Sequence, residues 1–201
     1  MRSTSFLFLL TGILTLAFAN AEVPNPVDAI RSKDVELQKL LRQKDATQKT
    51  DRVKVLINGI FDFEELGRHA LGPATWSKMP AAQQTRFVKA FSAMVENSSV
   101  KKLEAYISDS TRYDAPEINS DKTSVTAHVY SGGTESIVVY KLLLKQNSWK
   151  AWDLVIDDLS TAGNYGDQFK KILQKSTMDQ LIAKLEQKAN SNAVGKKPAG
   201  T

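Results

Sequence analysis

The chain has 201 residues, with 27 Lys+Arg against 22 Asp+Glu, two His and no Cys. The missing thiols exclude disulfides, a Cys nucleophile and Cys-ligated zinc or iron–sulfur sites, and two His argue against a His-rich metal site. At 42% hydrophobic and 24% charged, the composition is that of a globular domain with a real core, not of a disordered chain.

Arg2 is the only charge before Glu22. Phe6 to Phe18 is apolar except at Thr11, Gly12 and Thr15, and Ala19-Asn20-Ala21 follows. A positive start, a short apolar run and a small-x-small end predict a secretory signal peptide over residues 1–21, cleaved near Ala21. The run is shorter than the ~20 apolar residues of a membrane span. No Cys follows it to carry acyl chains, so the expected product is unanchored and soluble. One domain is expected over 22–189, then a disordered tail over 190–201 that is rich in Asn, Ser, Gly and Lys.

Helices are predicted first. Asn25 and Pro26 can open one over 25–44, with Val27, Ile30, Leu37, Leu40 and Leu41 as its apolar stripe. Val53, Leu56, Ile57, Ile60 and Phe61 mark a second over 51–61. Asp62, with Glu65 three residues on, resembles a capping box for a short third helix that Gly72-Pro73 ends. A long helix runs from Pro80 to about Ile107, bearing Phe87, Phe91, Met94 and Val95.

The period then changes from helical to two. Strands are predicted over 112–118, 123–130, 136–144 and 149–156. Pro116 suits an edge strand. Gly132-Gly133 is expected as a hairpin turn that sets Ala127 opposite Val138 and Val125 opposite Tyr140. One face then carries Val125, Ala127, Val129, Val138, Tyr140, Leu142 and Leu144. Trp152, Leu154 and Ile156 form the more apolar side of the last strand, and the register leaves open whether they join that face. Two helices close the domain, from about Tyr165 to Lys175 and from Thr177, where Gln180 completes a second capping-box pattern. The order is that of an α+β domain.

Catalytic spacings are absent: no Gly-x-Ser-x-Gly, His-Glu-x-x-His, P-loop or dinucleotide fingerprint. His69 reads as a surface or helix-end residue and His128 as a hydrogen-bonded structural one. Asp153, Asp157 and Asp158 form the compact carboxylate group, where a turn or helix-cap role for Asp157-Asp158 at the end of the last strand is favoured over metal binding. Lys is scattered rather than striped, so no nucleic acid is expected, and the weak positive charge suits anionic headgroups or an acidic partner. Large apolar groups are abundant on both layers. The helices offer Leu56, Ile60, Phe63, Leu71, Trp76, Phe87, Phe91 and Met94; the sheet offers Val138, Tyr140, Leu142, Trp152 and Leu154. Periodicity is compatible with a filled core or with a cavity for an apolar ligand.

Two blocks carry a family resemblance. The first is Asp62-Phe63 through Leu71-Gly72, Trp76, Gln83-Gln84, Arg86-Phe87 and Phe91. The second is Tyr140, Trp149-Lys150, Asp153, Ile156, Ser160, Asn164-Tyr165 and Gln168-Phe169. In this order they resemble the MlaC family, also described as toluene-tolerance proteins. The sequence departs from the family pattern at Asp157-Asp158 (usually Glu-Gly), Thr161 (usually aliphatic) and Gly166 (usually Arg). The resemblance implies a helical layer on a curved antiparallel sheet of about four strands, similar to an NTF2-like fold. It implies acyl chains in an apolar cavity between the layers, lined by the residues above together with Tyr165 and Phe169. It further implies a periplasmic phospholipid carrier serving an inner-membrane ABC transporter complex and an outer-membrane lipid-transfer complex, with no cofactor, no metal and no bond chemistry. An NTF2-like isomerase or hydratase, with Asp153 or His128 in the cavity, and an adaptor with a filled core are the competing readings. The Trp76 region or the Gly163–Gly166 segment, where Gly allows backbone change, is expected to move on ligand release.

Overall fold

Asn25 starts the first helix, α1 (Pro26–Leu41), as expected. Its side-chain oxygen accepts from the N–H groups of Val27 (2.9 Å) and Asp28 (3.4 Å). Pro26 stands where a missing N–H costs nothing. The computed structural model describes residues 23–43, 49–103 and 107–194. The signal peptide expected over 1–21 lies outside them.

Helix α2 (Lys49–Ile60) buries Val53, Leu56 and Ile57 on the face that the spacing marks. Asp62 then caps α3 (Phe63–Leu71), accepting from the Glu65 N–H at 3.0 Å. The expected box is only half formed. The N–H of Asp62 donates instead to the Ala151 carbonyl (2.8 Å), and the Glu65 carboxylate accepts from Arg68 (2.9 Å). Gly72, at φ +80°, ends α3, and Pro73 opens a single turn, α4 (Pro73–Trp76). Helix α5 (Ala81–Leu103) is the longest. Residues 104–106, where the helix is expected to end, lie outside the described residues, and Ile107 is not helical.

The sheet comprises β1 (Ser110–Tyr113), β2 (Glu117–Asn119), β3 (Lys122–Ser131), β4 (Thr134–Lys145), β5 (Ser148–Ile156) and β6 (Leu159–Ser160). Its order is β1-β3-β4-β5-β6, with β2 also on β3, and the strand pairs are antiparallel. The strand expected over 112–118 is broken into β1 and β2 around Pro116, which has no N–H for a ladder. The β3–β4 register is the one that the Gly132-Gly133 turn implies: Ala127 faces Val138 and Val125 faces Tyr140. Gly132 (φ +55°) and Gly133 (φ +80°) take the left-handed conformations of a two-residue hairpin.

A bulge between Lys141 and Leu142 settles which side of β5 joins the apolar face. On one side of it Trp149 and Ala151 oppose Leu144 and Leu142; on the other Leu154 and Ile156 oppose Tyr140 and Val138. Trp152 is the extra residue, so both phases of the strand contribute apolar groups to one face.

Helix α6 (Thr161–Leu173) begins four residues earlier than the pattern predicts. Ser160 Oγ accepts from the Gly163 N–H (2.9 Å), and Asp153 accepts from the Ala162 N–H (2.9 Å) and the Ser160 hydroxyl (2.8 Å). Gly163 and Gly166 therefore lie inside a capped helix. A Cβ on Gly166 would stand 2.9 Å from the Ala70 carbonyl oxygen, so this glycine lets α6 approach α3 closely. Helix α7 (Met178–Val194) opens with the full capping box: Gln180 N–H to Thr177 Oγ1 (3.3 Å) and Thr177 N–H to Gln180 Oε1 (3.0 Å). It continues to Val194, so residues 190–194, expected in a disordered tail, are helical.

Candidate functional site

Among the described residues, the buried apolar side chains form two main clusters. The larger joins the helices, from Leu40 and Leu41 of α1 through Leu66, Phe87 and Phe91 to Leu181 and Leu185 of α7. The smaller joins Val27 and Ile30 of α1 to Val125, Leu142, Trp149 and Ala151 of the sheet. A domain ordinarily has one contiguous core plus small satellites. Here Ile60 and Phe61, both half-buried, pack against both clusters, so the α2–α3 junction forms the seam.

Tyr140 describes the seam from the sheet side. Burial, and secondarily the charge of Asp34, pushes its phenol well above the usual range, yet the residue keeps accessible surface. Such a side chain stands inside the protein without being fully packed. Tyr113 nearby is also pushed up, first by burial, and its hydroxyl donates to Asp34 Oδ2 at 2.8 Å. This bond ties α1 to β1.

At the junction lies an open cleft of about 810 Å³. Phe61, Phe63 and Val88 form its apolar part, and Asp62, Glu64, Lys145 and Lys150 bring charge. Lys145 Nζ lies 2.5 Å from Asp62 Oδ2 and 4.0 Å from Glu65 Oε1. Lys150 Nζ donates to the Gly59 carbonyl at 2.6 Å, near the end of α2. These two lysines belong to β4 and β5, so the sheet holds the α2–α3 junction through polar contacts.

The residues kept for an enzymatic reading serve elsewhere. Asp153 is 1% exposed and spends its oxygens on Ser160 and Ala162, with Lys141 Nζ 3.5 Å away. His128 lies between Glu135 (Nδ1, 2.7 Å) and Asp114 (Nε2, 3.0 Å) on the face opposite Ala127 and Val129. The bonds to Asp114 and Glu135 raise its pKa. His69 stacks on Trp152 at 4.0 Å, and burial lowers its pKa.

The family model described as MlaC protein matches residues 32–187. The chain belongs to the MlaC family. Among solved structures it is similar to that of a phospholipid-binding protein from Ralstonia solanacearum in complex with a phospholipid. The TM-score is 0.71 at 18% identity, covering 83% of this chain and 97% of that one. No curated protein matches the sequence.

The expected MlaC site residues divide by burial. Leu56, Phe63, Leu71, Phe87, Phe91, Met94 and Phe169 are closed into the helical cluster, and Leu142 into the sheet cluster. Phe91 stacks on Phe87 (5.5 Å) and meets Phe169 (5.5 Å) and Tyr165 (5.0 Å) edge to face. Ile60, Trp76, Val138, Tyr140, Leu154 and Tyr165 keep accessible surface. Trp152 also does, but it stacks with His69 beneath Lys141 (5.4 Å) and belongs to neither cluster. Phe61 and the charged cleft residues were not among the expected site residues. Phe61 continues the α2 stripe and could have been included; Glu64, Lys145 and Lys150 carry no periodic signal.

The three departures from the MlaC pattern have local roles. Asp157 and Asp158 form the β5–β6 turn, Thr161 Oγ1 donates to the Leu154 carbonyl (2.8 Å), and Gly166 permits the approach to Ala70.

Proposed function

We propose that this protein binds a phospholipid and carries it, chemically unchanged, through the periplasm between an outer-membrane lipid-transfer complex and an inner-membrane ABC transporter complex. The observation that carries the reading is the divided core, bridged by the half-buried Ile60 and Phe61. Acyl chains entering this seam would complete the packing that neither cluster completes for the other. Each buried CH₂ contributes about 0.8 kcal/mol, so two chains favour the seam strongly over water. The phospholipid held by the Ralstonia solanacearum structure supports the same class of ligand.

Of the expected residues with accessible surface, Ile60, Tyr140, Trp76 and Tyr165 pack against the clusters and carry the lining, and Val138 and Leu154 extend the sheet face beside Tyr140. The fully enclosed phenylalanines shape the wall behind them. The export signal read over residues 1–21 supports the periplasmic setting. Binding and release need no acid, base or nucleophile, and Asp153 and His128, the groups an enzymatic reading would use, are engaged in a helix cap and a clasp.

Solvent extraction of the purified protein, read by mass spectrometry, is expected to release phospholipid in stoichiometric amount. Protein that carries none, and takes none from phospholipid vesicles, would overturn the reading.

A further inference from the structure

The charges of the cleft do not cancel where they stand. Lys145 is matched by Asp62 and Glu65. Lys150 is different. Its ammonium meets a neutral carbonyl, that of Gly59, and among the described residues it has no carboxylate partner. Glu64 is exposed and makes no ion pair within 4.0 Å among the described residues, although its charge reaches Lys145. One cation and one anion thus face the same cleft, more than the 4.0 Å of an ion pair apart. Phe61 lines this cleft and also packs on both apolar clusters, so the charged mouth and the seam are continuous.

We propose that the cleft is the headgroup site for a zwitterionic phospholipid, with the phosphate at Lys150 and the ammonium at Glu64. This rests on the phospholipid reading above and adds selectivity to it. A phosphate alone satisfies Lys150 but leaves Glu64 facing negative charge. A headgroup that carries a phosphate and, a few atoms on, an ammonium satisfies both. Discrimination then has an attractive and a repulsive component: an anionic lipid loses the contact to Glu64 and is repelled by it. Charge-assisted hydrogen bonds are strong enough to sort lipids whose acyl chains are identical.

The experiment is competitive loading. Purified protein is incubated with vesicles of equal parts phosphatidylethanolamine and phosphatidylglycerol of the same acyl composition, reisolated and extracted. Phosphatidylethanolamine is expected in roughly tenfold excess in the bound fraction, the ratio that one net charge-assisted contact provides. Glu64→Gln is expected to bring the two lipids to parity. Lys150→Gln is expected to lower loading of both. Circular dichroism checks that each variant is folded, and Glu64, being exposed, tests the idea without disturbing the core. Equal loading by the unaltered protein, or a preference that survives Glu64→Gln, overturns the headgroup site while leaving phospholipid binding intact. Loading of neither lipid overturns the phospholipid reading and this one with it.

Discussion

Asp157 and Asp158 sit side by side in the β5–β6 turn, both left-handed (φ +46° and +66°), yet they differ in what holds them there. Asp157 is bonded twice to Ile137, its carboxylate accepting from that N–H at 2.9 Å and its own N–H donating to that carbonyl at 2.9 Å. Asp158 makes no side-chain hydrogen bond among the described residues. Glycine adopts this backbone without the Cβ penalty. Asp158→Gly is therefore expected to stabilise the protein by about 0.5 kcal/mol. Asp157→Gly gains the same relief but forfeits the side-chain bond to the Ile137 N–H, and is expected to cost a net ~0.5 kcal/mol. Urea unfolding of the two variants checks the sign of each. The turn role of this pair was legible, because adjacent Asp residues follow a strand pattern that stops. The capping role of Asp153 was not: it depends on α6 beginning at Thr161, and no apolar stripe marks that first turn.

Among elements, the β1 corner and the β3–β4 hairpin are clasped by His128 between Asp114 and Glu135, with Arg112 bonded to Asp114 and the Tyr130 hydroxyl to Glu135. The imidazole pKa is raised by its bonds to the carboxylates, and both carboxylate pKa values are lowered by the bond to His128. The stabilisation from the imidazolium is present below its ordinary 6.5 and is lost as pH rises through the raised folded value. That from the carboxylates is present above their ordinary 3.8 and 4.5 and is lost as pH falls through the depressed ones. The clasp is thus strongest between 4.5 and 6.5. The stability gap between the protein and His128→Gln, from denaturant titration, should be larger near about pH 5.5 than near about pH 9. A gap that is equal, or wider at the alkaline end, rules out the imidazolium as its source. The pairing of β3 with β4 could be read from Gly132-Gly133, since a two-residue turn pins every partner beyond it. The bulge opposite Lys141 could not, because Leu142, Leu143 and Leu144 are apolar in either phase.

For the whole molecule, the division of the core separates stability from capacity. Phe91 is fully enclosed among rings, and Phe91→Ala is expected to cost about 4 kcal/mol of unfolding free energy. Ile60 is only half-buried at the seam, and Ile60→Ala is expected to cost about 1.5 kcal/mol while lowering the phospholipid extracted per mole of protein. Urea midpoints and lipid analysis on the same preparations compare them; a larger stability loss at Ile60 than at Phe91 would refute the division. Periodicity identified both apolar layers, but it registers only that a side chain turns inward, not what it meets. The split of α1, with Val27 and Ile30 on the sheet and Leu40 and Leu41 on the helices, is a matter of tertiary direction. The cleft likewise gathers residues from around 58–64, 88 and 145–150, which no single spacing links.

The bond from the Asp62 N–H to the Ala151 carbonyl, and the bridge of Phe61 with Ala151, have a consequence for self-association. They occupy the outer edge of β5 at its middle, and β6 occupies it at its end. At the other margin of the sheet β1 and β2 are short and are interrupted around Pro116. Unpaired strand edges are where sheets recruit further copies. With one edge plugged by the chain's own α2–α3 junction and the other cut short, strand addition has no long template to extend, and concentrated protein is kept from polymerising edge to edge.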